Sequence, residues 1–320
     1  MQKINIHYTF YSYFLKENMK ILEVNNLKKT YWENEVLKGI NFDVNAGDFF
    51  ALLWHNGAWK TTFISILTNL VNKTSWDIKV NGINIDENFS EARKNIWVVP
   101  QEFNFDVFWK TRDIIINQAW FYWVDRKTAE QRADYYLDKL GLWDKKNARA
   151  RELSGWMKRR LMIARALVHQ PKILILDEPT AWVDVELRAS MWEFIRELND
   201  SGTTIILTTH YLEEVEALCN RVVIVNKWEI VEDTSTKKLL SQLSEETVIL
   251  TTKEEKINIP EELISQYHAK HLAEHEVEVT ISEKHSLNNL FEIINKNNIS
   301  LSSFRNKTNR LEALFVKITK

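Results

Sequence analysis

Glycine is scarce in this chain, with 7 among 320 residues where ordinary usage is about 7%. Cysteine is scarcer still. Cys219 stands alone, which excludes an internal disulfide, and no cluster of His or Cys accompanies it to suggest a metal centre. A reducing cytoplasm fits that usage best. A basic excess is also lacking: the formal net charge of -2 argues against a protein that grips a phosphate backbone, so nucleic acid is not an expected partner. No run approaches the roughly 18 apolar residues that cross a bilayer, and the aromatic start from Tyr8 to Phe14 lacks the core and cleavage site of a signal peptide. A transport path, if there is one, is expected in another polypeptide.

What is present is an ordinary globular balance, 45% hydrophobic and 27% charged, in a length that allows one large domain or two modest ones. Tryptophan is the exception. Its count of 13 exceeds that of glycine, which reverses the usual order.

An alternating strand opens at Met19-Lys20-Ile21-Leu22, so a domain is expected to begin there, with residues 1–18 an N-terminal extension or a misplaced start. Strands are expected over Glu35 to Val44 and Asp48 to Leu53, the second feeding a short loop and a helix from Lys60. Residues 103–168 are rich in helix formers, notably Ala129 to Leu142 and Met157 to Val168, and read as a helical insert. Apolar runs at Ile173 to Leu176 and Thr204 to Thr208, separated by a helix over Val185 to Leu198, have the character of strands buried on both faces of a parallel sheet. Strands alternating with helices imply an α/β domain over 19–233. Beyond it, a Lys/Glu-rich stretch over 234–320 carries strands at Thr247 to Thr251 and Glu276 to Ile281 and helices near Leu287 to Asn295 and Leu311 to Val316, a small α+β appendage.

Two segments carry chemistry. His55-Asn56-Gly57-Ala58-Trp59-Lys60-Thr61-Thr62 follows a strand and opens a helix, the setting in which backbone N–H groups and a helix N-terminus hold phosphates. Lys60 is placed to reach the β and γ phosphates and Thr61 to ligate Mg²⁺. Ile173-Leu174-Ile175-Leu176-Asp177-Glu178 delivers two carboxylates at the carboxyl end of a strand, where open α/β sheets bind ligands. Asp177 would hold Mg²⁺ and Glu178 would polarise the attacking water. Taken singly, Lys-Thr-Thr could be a solvated helix start and Asp-Glu a capping pair before Pro179.

Leu153-Ser154-Gly155-Trp156-Met157-Lys158-Arg159-Arg160 resembles the signature motif of ATP-binding cassette (ABC) ATPases, and the resemblance runs from about Met19 to Glu232. It implies a P-loop NTPase cassette, a mixed sheet core with a helical subdomain. It also implies roles for Tyr31 in stacking adenine, for Gln101 in a loop that contacts the metal and couples nucleotide to a membrane partner, for Asp184 in dimer contact, and for His210 as a switch. Taken singly, Tyr31 could be an edge aromatic, Gln101 a loop amide and His210 a strand-end histidine. The tail from Asn306 to Phe315 is similar to the exporter branch that pairs with ABC-2 type permeases. The resemblance implies ATP and Mg²⁺ as cofactors, a head-to-tail homodimer in which Ser154 and Gly155 cap the γ-phosphate of the other subunit, and a location on the inner face of the cell membrane.

The family has glycine where this chain has Trp54, Trp59, Trp156 and Trp182, and the exporter branch suggests the same at Trp76, Trp97, Trp120, Trp123 and Trp228. A bulky residue in left-handed backbone costs about 1–2 kcal/mol, and tryptophan in a phosphate loop obstructs the phosphates. Exchanging these nine would leave 16 Gly and 4 Trp, close to ordinary usage. The pattern points to UGA codons, read as tryptophan in one genetic code and glycine in another. Trp143 and Trp192 read as genuine, and Trp32 and Trp109 belong to neither group. If the tryptophans are literal, the expectation becomes an impaired cassette or regulatory module. A non-transport ABC ATPase is disfavoured, since such proteins commonly carry two cassettes or a long coiled-coil insertion.

Overall fold

The computed structural model describes residues 19–32, 34–54, 58–71, 74–180, 185–242, 245–254, 257–282, 285–307 and 310–319. The chain divides into two compact units, Met1–Thr234 and Ser235–Lys320.

In the first unit, β1 (Lys20–Tyr31) and β2 (Asn34–Asn45) pair antiparallel. Next come β3 (Phe49–Trp54), α1 (Ala58–Leu67), β4 (Ser75–Val80), β5 (Ile83–Asn84), α2 (Phe89–Lys94) and β6 (Ile96–Val99). Three α-helices separate β6 from the next strand: α3 (Thr111–Trp120), α4 (Arg126–Lys139) and α5 (Gly155–Leu167). The unit continues through β7 (Ile173–Asp177), α6 (Val185–Asp200), β8 (Thr204–Thr208), α7 (Leu212–Leu218), β9 (Arg221–Asn226) and β10 (Glu229–Ser235).

These strands form a four-stranded antiparallel sheet, β2-β1-β4-β5, and a six-stranded sheet, β10-β9-β3-β8-β7-β6. Within the larger sheet β3, β6, β7, β8 and β9 run parallel. The residues of β3 and β7 are buried up to their last position, and all of β8 is buried. Such unbroken apolar runs fit strands covered on both faces. Only the carboxyl ends emerge, at Trp54 and Asp177, which directs the sheet's chemistry to that edge. Phe42, Phe50 and Phe63 knit the smaller sheet, the larger sheet and α1 into one core.

The second unit holds α8 (Thr236–Ser241), β11 (Glu245–Thr252), α9 (Glu261–Tyr267), β12 (Lys270–Ala273), β13 (Glu276–Ser282), α10 (Leu287–Lys296), β14 (Leu301–Asn306) and α11 (Arg310–Thr319). From β11 to β14 the order is β-α-β-β-α-β, and the sheet runs β12-β13-β11-β14, all antiparallel. This is the split β-α-β arrangement. Val248, Leu250, Val277 and Val279 line one face of it and pack with Leu263, Tyr267, Leu290 and Ile294 of the helices. The Tyr267 hydroxyl donates to the Ser286 carbonyl at 2.8 Å, so the buried phenol is satisfied.

Candidate functional site

Glu178 follows β7 and is the hub of the site. Its Oε1 lies 3.2 Å from Lys60 Nζ and 3.2 Å from His210 Nδ1. Its Oε2 accepts from Gln101 Nε2 at 2.8 Å. Lys60, in the first turn of α1, also reaches Asp177 Oδ1 at 2.9 Å, and that oxygen accepts from the Thr208 hydroxyl at 2.7 Å. Five side chains named from sequence therefore meet at the carboxyl edge of the parallel sheet: Lys60, Gln101, Asp177, Glu178 and His210.

The backbone at Glu178 is left-handed, with φ 48°, and its N–H donates to the Thr208 carbonyl at 2.8 Å. Non-glycine residues adopt this region at an energetic cost and cluster at functional sites. Lys60 is buried, and both carboxylates retain only a small exposed fraction. In such surroundings the single ammonium bridges the two carboxylates, and removing it would leave both without that cationic partner.

The loop that carries Gln101 is fixed from α5. Arg159 donates to the carbonyls of Pro100 at 2.6 Å and Gln101 at 2.5 Å, and Arg165 donates to the Asn104 carbonyl at 3.1 Å and its Oδ1 at 2.5 Å. Both guanidiniums are buried, and burial lowers their pKa from the ordinary arginine value. For Arg159 the charges of Asp177 and Glu178 act in the opposite sense. Arg159 and Thr208 belong to the site's framework and are not apparent in the linear motifs, because each contact joins segments distant in sequence.

Other expected residues lie elsewhere. Ser154 caps α5 by accepting from the Met157 N–H at 3.2 Å, and Gly155 is the first residue of that helix. Both are exposed, and among the described residues no hydrogen bond joins them to the Lys60 cluster. Tyr31 is exposed at the end of β1, with Lys29 Nζ 4.7 Å from its ring centroid. In α1, Thr61 is exposed and Thr62 buried, and Ala58 opens the helix. His55, Asn56, Gly57 and Asp184 fall outside the described residues. Two tryptophans border these parts: Lys60 Nζ lies 5.6 Å from the ring of Trp54, and Arg160 covers Trp156 at 4.8 Å. The indole N–H of Trp156 is buried without a hydrogen-bond partner.

Comparison with known proteins bears on this arrangement. The family described as ABC transporter matches over residues 37–181. The linearmycin resistance ATP-binding protein LnrL of Bacillus subtilis (strain 168) is 33% identical over 308 residues, covering 93% of this chain and 98% of that protein. This chain belongs to the ABC transporter ATP-binding family. The cassette is also 36% identical over 206 residues to the Nod factor export ATP-binding protein I of Burkholderia orbicola (strain AU 1054), covering 64% of this chain and 68% of that protein. A solved structure described as the ATP binding subunit of an ABC transporter superposes with a TM-score of 0.64 at 25% identity, covering 69% of this chain and 92% of that one. The α/β cassette fold and the capacity to bind ATP follow from membership. Among the described residues no helix is long and apolar enough to cross a membrane.

Proposed function

We propose that this cassette hydrolyses ATP to drive an ABC-2 type exporter. The observation that carries the reading is the meeting of Lys60, Gln101 and His210 on Glu178. Glu178 is the base that draws the proton from the attacking water, and His210 and Gln101 hold that water and the γ-phosphate on either side. Lys60 turns from the carboxylates to the β and γ phosphates when nucleotide enters. Tyr31 stacks on the adenine, and His55, Asn56, Gly57, Ala58 and Thr62 complete the cradle around the phosphates.

Asp177, the Thr61 hydroxyl and the Gln101 amide oxygen offer the hard oxygen donors that Mg²⁺ prefers. The carboxylate of Asp177 already pairs with a cation, the Lys60 ammonium, so the local charge suits a divalent ion. When bound, Mg²⁺ neutralises charge developing on the phosphates. Ser154 and Gly155, exposed and apart from the Lys60 cluster, are disposed to meet nucleotide held by a second copy, with Asp184 in the contact between copies. A head-to-tail homodimer follows from that assignment.

The relatives named for resistance and for Nod factor export support export as the direction. We place the chain on the inner face of the membrane, with a permease as its partner. Its contact is assigned to the open groove of about 660 Å³ bounded by Leu70, Phe89, Trp97, Phe121 and Arg165, which also includes Asn104 of the Gln101 loop. The unit from Ser235 is assigned as an appendage to the cassette, and residues 103–168 as its helical subdomain. Purification of the native protein from membranes tests the reading: a co-purifying permease and Mg²⁺-dependent ATP turnover are expected, and a chain isolated alone and inert would refute it.

A further inference from the structure

Five helices among the described residues end in the same backbone device. After α1 the Asn69 N–H donates to the Ile66 carbonyl at 2.9 Å and the Leu70 N–H to the Ser65 carbonyl at 2.7 Å, with φ 58° at Asn69. At the end of α4 the Gly141 N–H donates to Asp138 at 2.9 Å and the Leu142 N–H to Leu137 at 2.7 Å. The same two bonds recur after α6 at Gly202 and Thr203, after α10 at Asn298 and Ile299, and after α3 at Trp123 and Val124. This is the Schellman motif, whose pivotal residue takes left-handed backbone and is usually Gly, sometimes Asn. The other pivots have φ 63° at Gly141, 101° at Gly202, 52° at Asn298 and 56° at Trp123.

A second device also occurs in a matched pair. Asn81 and Gly82, with φ 51° and 77°, link β4 to β5; Lys227 and Trp228, with φ 48° and 72°, link the neighbouring strands β9 and β10. Two-residue hairpin loops with both φ positive favour glycine strongly. Trp32, between β1 and β2, also takes left-handed backbone, at φ 56°. Trp32 and Trp123 are 99% and 87% exposed, so no packing of the ring offsets the strained backbone. By contrast, Trp97, Trp120, Trp156 and Trp192 lie within regular strand or helix, and Trp143 lies 3.4 Å beneath Lys146 Nζ.

We infer that positions 32, 123 and 228 are glycine in the working protein, encoded by a UGA codon that its own organism reads as glycine. This rests on backbone geometry and not on the transporter reading; only its extension to Trp54, Trp59, Trp156 and Trp182 rests on that reading. Position 32 thereby joins the glycine group on structural grounds. Tandem mass spectrometry of the protein from its own host is expected to find glycine at all three positions, and tryptophan there would overturn the inference. A second test uses the chain as written, made in a host that inserts tryptophan. Trp32→Gly with Trp123→Gly should raise its melting temperature by on the order of 2–4 °C per position, whereas Trp143→Gly should lower it. An unchanged or lowered midpoint for the double variant contradicts the inference.

A different observation carries a second proposal. Arg159 and Arg165 of α5 hold the backbone of Pro100, Gln101 and Asn104, and α5 begins at the cap Ser154. We propose that Arg159 is a positioning residue that ties Gln101, and through it Glu178, to the helix that Ser154 caps. This rests on the hydrolytic reading. In host-made protein, Arg159→Gln should raise amide exchange across 100–104 and lower kcat at least tenfold with KM for ATP little changed. Arg159→Lys should recover part of the rate. An active parent whose Arg159→Gln variant keeps its kcat refutes the positioning role, while a parent with no turnover refutes the hydrolytic reading instead.

Discussion

The ammonium of Lys60 stands 2.9 Å from the carboxylate of Asp177, with the side chains of both largely buried. The same ammonium lies 3.2 Å from Glu178, so it faces both carboxylates at the sheet's edge. Breaking a buried pair from one side destabilises by roughly 3–5 kcal/mol. Lys60→Met should therefore lower unfolding stability by about 3 kcal/mol in urea titrations and abolish ATP binding. Unchanged stability would mean that solvent already carries the carboxylate charge.

Glu178 makes a second prediction. Glu178→Gln keeps the shape of the side chain and its contact with Gln101 but removes the base. Turnover should fall by roughly 10²–10⁴-fold while ATP binding persists, as measured by steady-state hydrolysis beside equilibrium binding. Equal losses of both would assign Glu178 to binding.

His169 supplies a pH dependence. Its ring stacks on Tyr122 at 3.8 Å between centroids and meets Trp97 at 5.2 Å, with neither nitrogen hydrogen-bonded. Burial, aided by the charges of Arg132 and Arg93, lowers its pKa from 6.5 to about 3. Between those values the unfolded chain binds the proton and the folded one does not. The stabilisation is therefore complete above about pH 6.5 and is lost progressively as pH falls toward 3. His169→Phe should flatten the acid limb of melting temperature against pH; an unaltered limb would place the titration elsewhere.

Much of the site was legible because its parts are local. Lys60 follows an apolar strand into a helix, and Asp177 and Glu178 end another, so type and spacing announce them. The strands β3, β7 and β8 and the helices α4, α5 and α6 were legible to within a few residues from apolar runs and helix formers. The part Arg159 plays was not, because in the linear sequence it is one residue of the signature motif, and only the fold turns it inward to the carbonyls of Pro100 and Gln101. Thr208 is likewise recruited across the sheet. The four-residue strand β12 is exposed throughout, so it leaves no apolar alternation to read, and with it the split arrangement of the second unit stays hidden. Trp32 shows the reverse gain: its sequence neighbourhood decides nothing, while its φ does.

The most direct test of the account is ATP hydrolysis by the purified chain carrying glycine at positions 32, 54, 59, 123, 156, 182 and 228, with a Glu178→Gln copy alongside. Mg²⁺-dependent turnover in the first, and an ATP-dependent dimer without turnover in the second, are the expected results. A glycine-bearing chain that folds and binds ATP yet hydrolyses none, alone or with its permease, would contradict the account.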